Sequence, residues 1–141
     1  MTTMGSARMR LGGEGAWVEL ARLDEGRWRV AADWHACLTA DFTTHLSAEE
    51  AADFAVRVLD RLRAPSSSGG GFTERVTPGR NNPLTLRAEP AGGRFALLLR
   101  LTPHGDDEVC RLQLELNPVD TEELTELFEA LHVSLGGGDG R

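Results

Sequence analysis

From Trp28 to Leu46 every second residue is apolar, with Thr44 the exception: Trp28, Val30, Ala32, Trp34, Ala36, Leu38, Ala40, Phe42, Thr44 and Leu46. The residues between them, Arg29, Ala31, Asp33, His35, Cys37, Thr39, Asp41, Thr43 and His45, are mostly polar. A period of two puts one set on a buried sheet face and the other toward solvent or a partner. Nineteen residues at about 3.3 Å each would extend roughly 60 Å, several times an ordinary strand. A turn or bulge therefore has to interrupt the run, and the stretch Asp33 to Ala36 is where it is expected.

At Ser47 the period changes. Ser47-Ala48-Glu49-Glu50 has the S-x-x-E form of a capping box, in which serine and glutamate satisfy each other's backbone amides at a helix start. Ala51, Phe54, Ala55, Val58, Leu59 and Leu62 follow at helical spacing, with Glu50, Asp53, Arg57 and Arg61 on the opposite face. Pro65 and the serine-glycine run after it end the helix.

The remaining chain repeats this order. Trp17 to Leu23 predicts a first short strand, joined to the long run by Asp24-Glu25-Gly26. Phe72 to Val76 predicts a short strand. Leu84 to Ala88, Phe95 to Leu101 and Cys110 to Leu116 predict three antiparallel strands, the middle one apolar on both faces and so interior to its sheet. Asp120-Thr121-Glu122-Glu123 is a D-x-x-E variant of the capping box, with Val119 and Leu124 placed as a hydrophobic staple. Leu124, Leu127, Phe128 and Leu131 form the buried stripe of a second helix, stopped by Gly136 to Gly138. The expected fold is a single α+β domain over 16–135: an antiparallel sheet of about six strands with two helices packed on one face, in two meander-plus-helix halves. The glycine-rich stretch 1–15 reads as a flexible lead, 66–82 as an irregular and partly disordered loop, and 136–141 as a disordered tail.

Charge and composition narrow the function classes. A net charge of −7 opposes non-specific nucleic-acid binding, which needs clustered positive charge. All 15 basic residues are arginine, and lysine, isoleucine and tyrosine, whose codons are AT-rich, are absent; the bias points to a GC-rich bacterial genome rather than to a site. No apolar run is long enough for a membrane span and no secretory leader is visible, so the expected location is cytoplasmic. Cys37 and Cys110 fit no metal or redox spacing and read as free thiols, buried or half-buried.

Two candidate sites emerge. On an unbroken strand Asp33, His35 and Cys37 would share one face, and carboxylate, imidazole and thiolate are donors suited to zinc; alternate strand residues are too far apart to close a tetrahedral site without another element. A nucleophilic pair of Cys37 with His35 would also need an orienting acid and an oxyanion hole, and no nucleophile-elbow, zinc-protease or phosphate-loop motif occurs. No catalytic residue and no cofactor is expected. The second candidate is the acidic helix surface, with Asp53, Glu122, Glu126 and Glu129 meeting a basic protein partner. Trp28 and Trp34, on the apolar face, read as core. An exposed sheet edge offers a route to a homodimer.

Two stretches, together about a third of the chain, carry a resemblance. In 42–62 a strand leads through Leu46-Ser47-Ala48-Glu49-Glu50 into a helix, and in 112–135 Leu114-Glu115-Leu116 precedes Asp120 and a leucine-rich helix. In these and in element order the chain resembles small bacterial proteins of the WapI-type toxin-immunity group and related domains of high-GC bacteria. The resemblance implies a non-enzymatic, toxin-neutralising protein-binding role and carries over no functional residue. The alternative reading is a small-ligand or metal-binding protein using the Asp33, His35 and Cys37 face.

Overall fold

The structure is a computed structural model that describes residues 7–63, 70–105 and 110–136. Those residues form two four-stranded antiparallel sheets, each a sequential meander followed by a helix. In the first half β1 (Arg8–Gly13), β2 (Ala16–Asp24), β3 (Gly26–Trp34) and β4 (Leu38–Leu46) lead into α1 (Ala48–Arg63). In the second, β5 (Phe72–Arg75), β6 (Leu84–Pro90), β7 (Arg94–Leu101) and β8 (Leu112–Asp120) lead into α2 (Thr121–Ser134). The repetition of meander and helix is as expected; the single six-stranded sheet is not.

One misread segment and the division into two sheets account for the difference. Arg8–Gly13, assigned to the flexible lead, is β1: Met9 and Leu11 are buried while Arg8 and Arg10 face out. Its glycines serve the turn into β2. Gly12 has φ +99°, and a Cβ there would lie 2.3 Å from the Ala16 carbonyl oxygen, so only glycine fits. The long alternating run divides at His35-Ala36-Cys37, between β3 and β4, within a residue of the expected break. Residues 66–69 and 137–141, to which disorder was assigned, lie outside the described residues.

The helices do not both lie on one face of one sheet. They pack on each other, with Phe54 and Phe128 edge to face at 5.7 Å, and each reaches across: α2 packs against β1, and α1 against β5. The stripe residues Phe54, Val58, Leu124, Phe128 and Leu131 meet the inner sheet faces, where Leu11, Leu20, Trp28, Val30, Leu86, Leu97, Leu99 and Leu116 are also buried. Each Phe, Leu or Trp so enclosed contributes about 1.5–3 kcal/mol. Because the core is shared between the halves, neither half encloses its own apolar face.

The helix starts differ from each other. At α1 the capping box forms as expected: the Glu50 amide donates to Ser47 Oγ (3.0 Å) and the Ser47 amide to Glu50 Oε1 (2.9 Å). At α2 Asp120 makes no side-chain cap. β8 runs into the helix without a gap, and the Asp120 carboxylate accepts instead from Arg94 Nε at 3.1 Å.

The segment read as an irregular loop is largely built. After β5, the buried residues Thr77, Asn82, Thr85 and Thr102 form a polar network. Asn82 Oδ1 accepts from the Thr77 amide (3.0 Å), Asn82 Nδ2 donates to Thr85 Oγ1 (2.9 Å), and Thr102 Oγ1 donates to the Asn82 carbonyl. Every polar group named has a partner, which makes such a network rigid rather than costly.

Candidate functional site

Among the described residues, the β3 to β4 turn is where the backbone departs most from what its residues prefer. The Cys37 amide donates to the Trp34 carbonyl (2.9 Å), closing a turn whose central residues, His35 and Ala36, have φ of 53° and 60°. Neither is glycine, and the left-handed region costs a Cβ-bearing residue about 1–2 kcal/mol. Two contacts hold it. The His35 amide donates to the Gly15 carbonyl in the β1 to β2 turn, and the Ala36 amide donates to Asp33 Oδ2 at 3.3 Å.

The strained turn presents apolar surface. Trp34 is 36% and Leu38 50% exposed, and the Trp34 and His35 rings meet edge to face at 4.6 Å. Opposite them runs the outer edge of β8. Between lies an open groove of about 410 Å³, lined by Trp34, His35 and Leu38 on one side and by Gln113 to Pro118 on the other. β8 is an edge strand whose only sheet partner among the described residues is β7. The groove thus combines an exposed indole, a leucine and a strand edge.

The expectation that Trp34 is core is corrected here, although Trp28 is fully buried. Both lie on the same sheet face, but Trp34 falls at the strand's end, where it lines the open groove. The cysteines are corrected too: Cys37 and Cys110 are both free and exposed.

The turn also dismantles the metal geometry. Asp33 is the penultimate residue of β3, His35 and Cys37 belong to the turn, and the common face that an unbroken strand would have provided does not exist. Among the described residues no group of three or more His, Cys, Asp and Glu side chains could hold a metal ion. Asp33 instead supports the turn.

The four acidic candidates separate into two kinds. Asp53 accepts from Arg57 Nε at 2.8 Å and Glu129 is paired with Arg63, so both are neutralised within the chain. Glu122 and Glu126 are exposed on α2, one turn apart, with Glu123 beside them. They remain available to a partner.

Two arginine clamps were not legible from spacing. Arg80 donates from Nε and Nη2 to the Glu50 carboxylate (2.9 and 2.8 Å) and from Nη2 to the His45 carbonyl (2.8 Å), fastening the loop after β5 to the start of α1. The Arg80 guanidinium, helped by the Ser47 amide, holds the Glu50 carboxyl down at about 2 against the opposing effect of burial. Arg57 donates to Glu74 Oε1 (2.6 Å) and to the Arg75 and Val76 carbonyls (2.9 and 3.3 Å), and Arg61 reaches Glu74 Oε2 at 3.1 Å. On the outer face of the first sheet, Arg29 and Asp41 pair diagonally across β3 and β4, and Arg29 holds the Asp41 carboxyl below its usual range.

No helix among the described residues is long and apolar enough to cross a membrane. The chain matches no protein-family model, and no curated protein matches it either.

Proposed function

We propose that this chain is a non-enzymatic protein-binding module whose partner seats on the groove between the β3 to β4 turn and β8. The carrying observation is that Trp34 and Leu38 stand exposed on a turn held in a strained conformation beside an unpaired strand edge. Tryptophan is enriched among the anchors of protein interfaces, and backbone strain kept by neighbouring contacts clusters at functional segments. Glu122 and Glu126, with the net charge of −7, favour a basic partner, raising its rate of encounter more than its affinity. The sharpest form of the reading is neutralisation of a basic toxin by an immunity protein, which rests on the resemblance of the two strand-to-helix junctions.

The test is an affinity pull-down from host lysate with wild type, Trp34→Ala and the double variant Glu122→Arg/Glu126→Arg, at low and moderate salt. A stoichiometric partner released by Trp34→Ala, and recovered less as salt rises, supports the reading. Recovery of no partner, or of one indifferent to both variants, overturns it.

A further inference from the structure

We infer that a second copy of this chain pairs with β4, joining the two first-half sheets into one continuous antiparallel sheet. The two sheets have four edges, and among the described residues three are covered or blunted. β1 packs against α2 and β8. β5 is only four residues long, and Arg57 occupies the Arg75 and Val76 carbonyls at its end. β8 contains Pro118, which has no N–H to offer, and its register with β7 is broken by a bulge between Phe95 and Leu97. Proline, bulges, short strands and covering groups are how edges are ordinarily blunted. β4 is nine residues long, has no proline, and is in unbroken register with β3.

The hydrogen-bond phase of β4 identifies the groups on offer. In an antiparallel sheet the N–H and C=O of one residue point to the same side, alternating along the strand. The His35 amide bonds toward β2 and the Trp34 carbonyl toward β4, so odd residues of β3 serve β2 and even ones serve β4. Since even pairs with even, as in Ala32 with Ala40, the odd residues Thr39, Asp41, Thr43 and His45 direct their backbone groups outward. The His45 carbonyl confirms the phase, because Arg80 reaches it from outside the sheet. That clamp closes the end of the edge, where Thr43 also lines a pocket with Arg80 and Pro83, and among the described residues it leaves Thr39 to Asp41 open.

Charge and shape select the register. With Asp41 on the twofold axis two carboxylates would face each other. With Phe42 on the axis, pairing would run onto His45, whose carbonyl Arg80 already holds. With Ala40 on the axis, Thr39 bonds with Asp41 of the second copy and the reverse, giving four backbone hydrogen bonds. Leu38 then lies opposite Phe42 of the second copy on the inner face, covering a half-exposed leucine and a partly buried phenylalanine. Asp41, already paired with Arg29, meets only a threonine. Trp34, β8 and α2 take no part, and Leu38 alone is shared with the groove.

The test uses the full chain. In a Cys37→Ser/Cys110→Ser background, Ala40→Cys should form an intermolecular disulfide under mild oxidation, because residues facing each other in a non-hydrogen-bonded pair have Cα atoms about 4.5 Å apart, within disulfide reach. Phe42→Cys, displaced from the axis, should not. Sedimentation equilibrium should show a reversible dimer for wild type, and dimerisation about tenfold weaker or worse for Thr39→Pro, which removes only an outward N–H and should leave the circular dichroism unchanged. A wild type that stays monomeric at millimolar concentration overturns the inference. So does cross-linking of Phe42→Cys as fast as Ala40→Cys.

Discussion

Replacing Glu50 with glutamine isolates the Arg80 clamp, because glutamine also completes a capping box with Ser47 but carries no charge for Arg80. The Glu50 carboxyl drops from 4.5 to about 2 on folding. At about 1.36 kcal/mol per pH unit, that corresponds to roughly 3 kcal/mol of gross stabilisation. Its side chain is 34% exposed and that of Arg80 42%, so solvent screening reduces the net value to about 1–2 kcal/mol. The direction with pH is fixed. Above the unfolded value of about 4.5 both states are ionised and the stabilisation is complete. As pH falls toward 2 the unfolded chain takes up a proton that the folded chain refuses, and the contribution is lost. Urea unfolding of wild type, Glu50→Gln, Arg80→Ala and the double variant should therefore show a coupling of about 1–2 kcal/mol at pH 7 that shrinks as pH is lowered from 4.5 toward 2. A coupling below about 0.3 kcal/mol, or one as large at pH 3 as at pH 7, would refute the reasoning.

Arg57→Leu should destabilise the fold by about 2–3 kcal/mol in urea unfolding, since Glu74, whose side chain is only 11% exposed, is left with Arg61 alone and two strand-end carbonyls lose their donor. Ala36→Gly should stabilise the protein by about 0.5–1 kcal/mol in the same assay, relief of the left-handed strain outweighing the added freedom of the unfolded chain; a loss of stability would mean the turn is not strained.

Strand and helix identity were largely legible because each rests on local periodicity. The capping box at Ser47 and Glu50, the turn near Asp33, and the interior position of β7 follow from spacing alone. Coverage does not. Alternation assigns Trp28 and Trp34 to the same face, yet the first, within the strand, is buried and the second, at its end, is exposed. Arg8 to Gly13 carried a readable signal, Met9 and Leu11 alternating with Arg8 and Arg10, which the neighbouring glycines obscured. Asp120 shows the opposite failure: the motif is present, but Arg94 offers its carboxylate a competing partner. The Glu50 to Arg80 and Arg57 to Glu74 pairs join residues remote in sequence, so no pattern within one segment could reveal them. The shared strand face expected for Asp33, His35 and Cys37 is absent for a related reason, since it required the strand to continue through the very residues that turn it.

The crossing of each helix to the other half has a consequence for synthesis. β1 leaves the ribosome before α2, which packs against it and follows only after seven further strands and α1. At about 5–20 residues per second, Met9 and Leu11 wait on the order of ten seconds for their cover. Until α2 is made the nascent chain is therefore expected to expose an apolar sheet face, making it a natural client for ribosome-associated chaperones.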